Sequence, residues 1–275
     1  MLVIYLLLFI SGLAIGSFAN VVIFREISDE KRSPAKKSWK KYLPSWFFGR
    51  SYCDACKKPI AWYDNIPLFS YLLLGGRCRA CGQKISFQYP LVELLTGFEF
   101  IWIYWLLQRF SFFGRLEGFY SFALLLYWIY IFSSLAIIFI ADLKASIIPD
   151  WVVIPAIFIS FLRLFESGRW TFALAGLAAG AFFLILYLIT KGKGLGFGDV
   201  KLGVLLGLFL GYPQVVVAIF LAFLTGACLA VILIIQGKKR FGQRIAFGPF
   251  LVVGILVAKI WGLAVWNWYV GLLLR

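Results

Sequence analysis

The chain has 275 residues, of which 63% are hydrophobic and 14% charged, and its formal net charge is +15 with no histidine. Its mean hydropathy of +0.92 excludes an ordinary soluble domain, which is nearer half apolar and a quarter charged. The absence of histidine removes the usual general base and metal ligand, so Ser-His-Asp and Cys-His mechanisms are excluded and carboxylates, cysteines, lysines and backbone must carry any chemistry. The composition implies an all-α polytopic membrane protein, and its basicity belongs to loops facing anionic lipid rather than to nucleic acid.

In chain order, the first apolar run, Met1 to Phe24, is long enough to span a bilayer. It lacks a basic leading segment and a cleavage-site pattern, and so reads as a retained span rather than a signal peptide. Within it, Gly16-Ser17-Phe18-Ala19-Asn20 reads either as a helix-packing face or as a functional patch. Asn20 requires a hydrogen-bond partner in the membrane.

Residues 25–90 form the one sizeable polar region, with 13 Lys/Arg against 5 Asp/Glu. Its first part, Ser28 to Phe48, reads as a basic arm at the membrane surface. Then come Cys53-x-x-Cys56 and Cys78-x-x-Cys81, with 21 residues between the pairs. Each pair places two sulfurs on a tight turn, and two such knuckles close a tetrahedron, the pattern of a structural four-thiolate zinc site. A cytoplasmic location argues against the alternative of two disulfides. Cys228 reads as a small buried hydrophobe.

Seven further apolar runs follow, near Leu91–Leu107, Phe119–Ala141, Trp151–Phe165, Trp170–Thr190, Leu202–Leu210, Val215–Ile235 and Phe247–Leu272. With the first run they predict about eight transmembrane helices and no internal repeat. The Leu202–Leu210 run is short, and is expected either to pack inside the bundle or to extend through Pro213. The chain divides into a first transmembrane helix (1–24), a cytoplasmic basic arm with a four-cysteine module (25–90) and a multi-helix intramembrane domain (91–275). Placing the cysteine region in the cytoplasm puts 21 of the 27 Lys/Arg on that side, as the positive-inside rule requires. Both termini then face outward.

This topology gives two carboxylates the same address. The third run ends inward at Asp142, and the sixth begins inward at Asp199, within Gly194-Leu195-Gly196-Phe197-Gly198-Asp199-Val200-Lys201. A carboxylate at a membrane edge is costly unless paired, hydrated or functional. Two that converge share a proton. The ionised one then activates water and the protonated one polarises a peptide carbonyl, so Asp142 and Asp199 are the candidate catalytic pair of an aspartyl protease. Asp150 reads as a helix N-cap or loop residue. Lys201 reads either as tuning the pair or binding a peptide carbonyl, or as a snorkelling lysine. Glu93 is expected to be solvated near a span edge and Glu99 to face a polar cavity, with Lys259 as a candidate partner for Glu99.

Taken together, these motifs resemble the type IV prepilin peptidases, GxGD-type intramembrane aspartyl proteases, over nearly the whole chain. The resemblance rests on Gly16-Ser17-Phe18-x-Asn20-Val21 with Arg25, on Arg50-Ser51-x-Cys53-x-x-Cys56, and on Trp62-Tyr63-Asp64-Asn65-Ile66-Pro67. It continues through Gly76-Arg77-Cys78-Arg79-x-Cys81, Tyr89-Pro90-Leu91-Val92-Glu93-Leu94-Leu95-Thr96, Asp142 with Ile148-Pro149-Asp150, Gly196-Phe197-Gly198-Asp199-Val200-Lys201-Leu202 and Phe247-Gly248-Pro249-Phe250. It implies removal of the basic leader from type IV prepilins and type II secretion pseudopilins at the cytoplasmic edge of the bacterial inner membrane by Asp142 and Asp199. It also implies N-methylation of the new N-terminal residue with S-adenosylmethionine, because all four cysteines are present. The Ser28–Phe48 arm matches no motif of the family, and Arg25-Glu26-Ile27 stands where Arg-Leu-Pro is expected. Two competing readings are an ion- or proton-coupled transporter using the same carboxylates as a relay and a non-enzymatic scaffold. The helix-end carboxylates and the lack of a repeat weigh against the first, and the paired Asp motifs against the second.

Overall fold

The computed structural model describes residues 2–31, 51–53, 55–109, 118–237 and 246–273. Most of the expected basic arm (32–48), Arg50, Arg115 and the basic cluster at 238–244 lie outside them. The described residues form nine α-helices and no sheet: α1 (Leu2–Lys31), α2 (Phe69–Leu73), α3 (Gln88–Arg109), α4 (Gly118–Ala145), α5 (Asp150–Ser167), α6 (Thr171–Ile189), α7 (Phe197–Leu210), α8 (Gln214–Ile235) and α9 (Gly248–Leu273). The chain divides into two compact units, residues 1–133 and 134–275.

Eight of these helices match the eight apolar runs, and the ninth, α2, is a short helix inside the cysteine module. Six are long and apolar enough to cross a membrane: α1, α3, α4, α6, α8 and α9. The chain is a multi-pass membrane protein. α5 carries Asp150, Arg163 and Glu166 in 18 residues, and α7 has only 14.

In the first unit α1 packs along α3. Lipid supplies no hydrophobic drive between helices, so the backbones must approach closely over small residues. A methyl group on Gly12 would sit 2.5 Å from the Thr96 carbonyl oxygen, and one on Gly16 would meet the Cα of Glu93 at 2.8 Å. Thr96 Oγ1 donates across the seam to the Gly12 carbonyl at 2.9 Å. The Gly16 end of the sequence motif is therefore a packing face.

In the second unit α7 is the central helix, packed against α5, α6, α8 and α9. Ten of its 14 residues are buried, among them Leu202, Leu205, Leu206 and Leu210. It is short because it is wrapped by other helices rather than by lipid. It ends at Leu210, where Gly211 takes a positive φ with an extended ψ (φ +71°, ψ 176°) and its N–H bonds to the Gly207 carbonyl, so the helix does not extend through Pro213. The α6–α7 contact is closest at Gly207, where a methyl group would lie 2.5 Å from the Cα of Gly176.

Candidate active site and cysteine centre

The two knuckles of the module are built alike. Cys53 N–H bonds to the Lys58 carbonyl (3.0 Å) and Lys57 N–H to the Cys53 carbonyl (2.8 Å). In the second knuckle Cys78 N–H bonds to the Gln83 carbonyl (2.9 Å) and Gly82 N–H to the Cys78 carbonyl (2.9 Å). Both turns close through a left-handed residue, Lys57 at φ 58° and Gly82 at φ 70°. This small repeat is faint in the sequence, because beyond the cysteines only an alanine (Ala55, Ala80) and an isoleucine (Ile60, Ile85) are shared at matching places. The second knuckle is tied to the 3-10 turn Trp62–Asn65 by a two-pronged ion pair, with Arg79 Nε 3.0 Å and its terminal nitrogen 2.7 Å from the Asp64 carboxylate.

All four sulfurs lie within 4.8 Å of one another. Thiolates bound at about 2.3 Å to one tetrahedral ion lie roughly 3.8 Å apart, which is the Cys53–Cys81 separation of 3.8 Å. The cysteines are free thiols, not disulfides, and the cluster fits a metal ion with no position left open. The N–H groups of Cys81 and then Ala80 favour the Cys78 thiolate and bring its pKa down to about 7. Cys81 is also favoured by the Gln83 N–H, but desolvation and the neighbouring sulfurs outweigh that bond and push it up to about 11. Cys228 lies exposed on the bundle rather than buried.

The second unit brings the predicted carboxylates together. Asp142 closes the last turns of α4 and Asp199 is the third residue of α7. They are 5% and 7% exposed, and the charge of Asp142 acts directly on Asp199. Asp199 reaches back to accept the N–H of Gly196, the residue capping α7, at 2.9 Å; this is the carboxylate half of a capping box. Asp142 accepts the N–H of Gly248, the first residue of α9, at 2.7 Å.

Two contacts set the start of α7 beside the 142–150 loop. Gly198 lies against Ile148, whose Cβ would be 2.9 Å from a methyl group there. Lys201 is ion-paired with Asp150 and stands over the Phe197 ring at 5.2 Å. Asp150 is thus not a side-chain cap: Pro149 caps α5 without a side-chain bond, and the carboxylate is spent on Lys201. Lys201 in turn is neither a free snorkelling lysine nor directed at the aspartate pair.

Sequence reasoning did not assign Gly248 a role. Phe247 is fixed in an aromatic cluster with Phe223 (4.9 Å) and Phe183 (6.2 Å), which delivers the next N–H to Asp142. Glu93 was expected in solvent but is buried, because the loop before α2 folds over it and Leu68 N–H donates to it at 2.8 Å. Lys259 in α9 stands over the Phe209 ring at 5.0 Å. Glu99 is half-buried in α3.

Two family models match this chain: the bacterial peptidase A24 N-terminal domain over residues 10–107 and the type IV leader peptidase family over residues 129–231. A curated relative from Aeromonas salmonicida (strain A449), a prepilin leader peptidase/N-methyltransferase, is 34% identical over 98% of this chain and 94% of its own. The chain belongs to the type IV leader peptidase family. Proteins of the same name from Legionella pneumophila and Pseudomonas aeruginosa are 32% and 31% identical, over 97% and 91% of this chain and 94% and 88% of theirs. No solved structure matches. The leader peptidase model spans both Asp142 and Asp199, and the N-terminal model spans all four cysteines.

Proposed function

We propose that this chain removes the basic leader from type IV prepilins or pseudopilins with Asp142 and Asp199, and then N-methylates the exposed N-terminus with S-adenosylmethionine. The observation that carries the cleavage reading is the meeting of two buried carboxylates at the ends of two helices, each held by one backbone N–H. Two such groups share one proton. One takes a proton from water as it attacks the scissile carbonyl; the other polarises that carbonyl and protonates the leaving amine. No histidine, metal or nucleophile is needed. The exposed glycines at 194 and 196 leave room for an extended substrate backbone, whereas Gly198 is taken up by its contact with Ile148. A prepilin is itself a membrane helix with a basic cytoplasmic leader, so its cleavage site would reach the depth of the aspartates.

Residues 1–24 form the first span, 25–90 the arm and module, and 91–275 the protease domain. Cys53, Cys56, Cys78 and Cys81 hold a structural zinc ion, for which the sulfur spacing and the free thiols speak. The charge distribution favours the bacterial inner membrane with the module and the aspartates facing the cytoplasm. The methyl-transfer reading rests on the names of the relatives and on the intact cysteine set. Nothing in the fold favours a transporter.

The test uses purified protein in lipid with a prepilin bearing a basic leader. Mass spectrometry should find the leader removed and, only when the donor is added, about 14 Da gained on the product (one methyl group replacing hydrogen). An intact prepilin would refute the cleavage reading, and cleavage with no mass gain would refute the methyl-transfer reading.

Gly248→Ala gives a second check. Its methyl group would lie 2.7 Å from Asp142 Oδ2 and 3.1 Å from Cγ, so the carboxylate or the start of α9 must move. Displacing a catalytic group by a fraction of an ångström to 1 Å costs up to about 10²-fold in rate. The cleavage rate of Gly248→Ala should fall by roughly that factor while the purified protein stays monodisperse.

A further inference from the structure

The seam between α1 and α3 carries polar groups that the cleavage site does not use. Asn20 is 3% exposed. Its Nδ2 donates to the Tyr89 carbonyl at 3.1 Å, while Oδ1 is buried with no hydrogen-bond partner among the described residues. One turn back along α1, Ser17 lies beside Glu93, next to Gly16, on which a methyl group would sit 2.8 Å from the Glu93 Cα. Glu93 lies one turn beyond Tyr89 on α3 and is 7% exposed. Among the described residues its hydrogen bond is the one from Leu68 N–H, and no Lys or Arg among them pairs with it.

A buried acceptor without a donor and a buried carboxylate without a cation are both costly, and an ionisable residue in a span marks a functional site. One ligand chemistry meets both needs. A primary ammonium brings N–H donors for Asn20 Oδ1 and a positive charge for Glu93. A sulfonium brings charge without donors, and a neutral amide brings donors without charge.

We propose that Asn20, Ser17 and Glu93 form a subsite for a primary ammonium, namely the α-amine exposed on the pilin when its leader is removed. This assignment rests on the methyl-transfer reading above. Glu93 takes one proton from the bound ammonium. The freed nitrogen lone pair then accepts the methyl group of the sulfonium donor; the N–C bond forms as the C–S bond breaks, and its electron pair stays on sulfur. The donor carries an α-amine of its own, so the two sources of ammonium must be told apart.

The test measures binding directly. A fluorescent peptide with the N-terminal sequence of a cleaved pilin is prepared with a free and with an acetylated amine, and its anisotropy is followed with full-length protein in detergent. Binding of labelled S-adenosylmethionine is measured in parallel by equilibrium dialysis. Wild type should bind the free amine at least tenfold more tightly than the acetylated peptide. Glu93→Gln and Asn20→Ala should lose that preference and keep donor binding. Glu93→Gln retains an oxygen for Leu68 N–H, so a purely structural Glu93 would leave this variant like wild type and overturn the proposal. Equal binding of both peptides by wild type would overturn it as well. Variants that lose the donor but keep the peptide preference would assign the ammonium to the donor and overturn the pilin assignment. The comparison needs no turnover, so its failure is distinct from a failure of methyl transfer itself.

Discussion

Asp142→Asn and Asp199→Asn should each lower the rate of leader removal by about 10³-fold or more without disturbing the fold. Asparagine keeps the shape of the side chain and an oxygen that can accept the N–H of Gly248 or of Gly196, the bonds that hold the two aspartates at 2.7 and 2.9 Å. The helix ends should therefore stay where they are. What is lost is the proton traffic, because an amide can neither take a proton from water nor return one to the leaving amine. General acid–base catalysis supplies about 10² to 10⁴-fold, and each member of a shared-proton pair depends on the other. Thermal stability in detergent should change little, which separates a chemical defect from a folding one.

The second large effect concerns the cysteine module. Among the described residues between 51 and 87, the only buried polar side chain is Ser70 and no large hydrophobic residue is buried. The module therefore has no core of its own. Ser70 instead closes a local loop, accepting from Ile66 N–H at 3.1 Å and donating to the Tyr63 carbonyl at 2.7 Å. Structural zinc contributes on the order of 10 kcal/mol or more to folding such modules. Cys78→Ser should therefore reduce bound zinc from one ion per chain to near none by elemental analysis. Limited trypsin digestion should then cut at Lys57, Arg77 and Lys84, while the membrane helices stay intact. Full metal content in this variant would contradict the four-thiolate reading.

Hydropathy made the eight helices legible, because apolar runs of this length have few alternatives in a chain so poor in charge. It could not separate lipid-facing helices from wrapped ones, since both are apolar. The shortness of the Leu202–Leu210 run was the one clue that α7 lies inside the bundle. Helix parity placed Asp142 and Asp199 at the same membrane edge, and the fold brings them near enough for the charge of Asp142 to act on Asp199. Side-chain partners were not legible. Asp150 and Lys201 are 51 residues apart, and nothing in either neighbourhood announces their pairing. Glu93 lies near the start of its helix, where solvent is the natural expectation. The return of the chain through Leu68 and the packing of α1 at Gly16 bury it. Gly248 looked like part of a motif, yet its task belongs to its backbone N–H, which no residue pattern encodes.

The most direct measurement is a side-by-side rate of leader removal in lipid for wild type, Asp142→Asn, Asp199→Asn and the double variant. Residues that act as one unit are strongly non-additive, so all three variants should share one floor at least about 10³-fold below wild type. Cleavage in either single variant well above that floor, or a double variant lower by the product of two partial losses, would contradict a single catalytic pair.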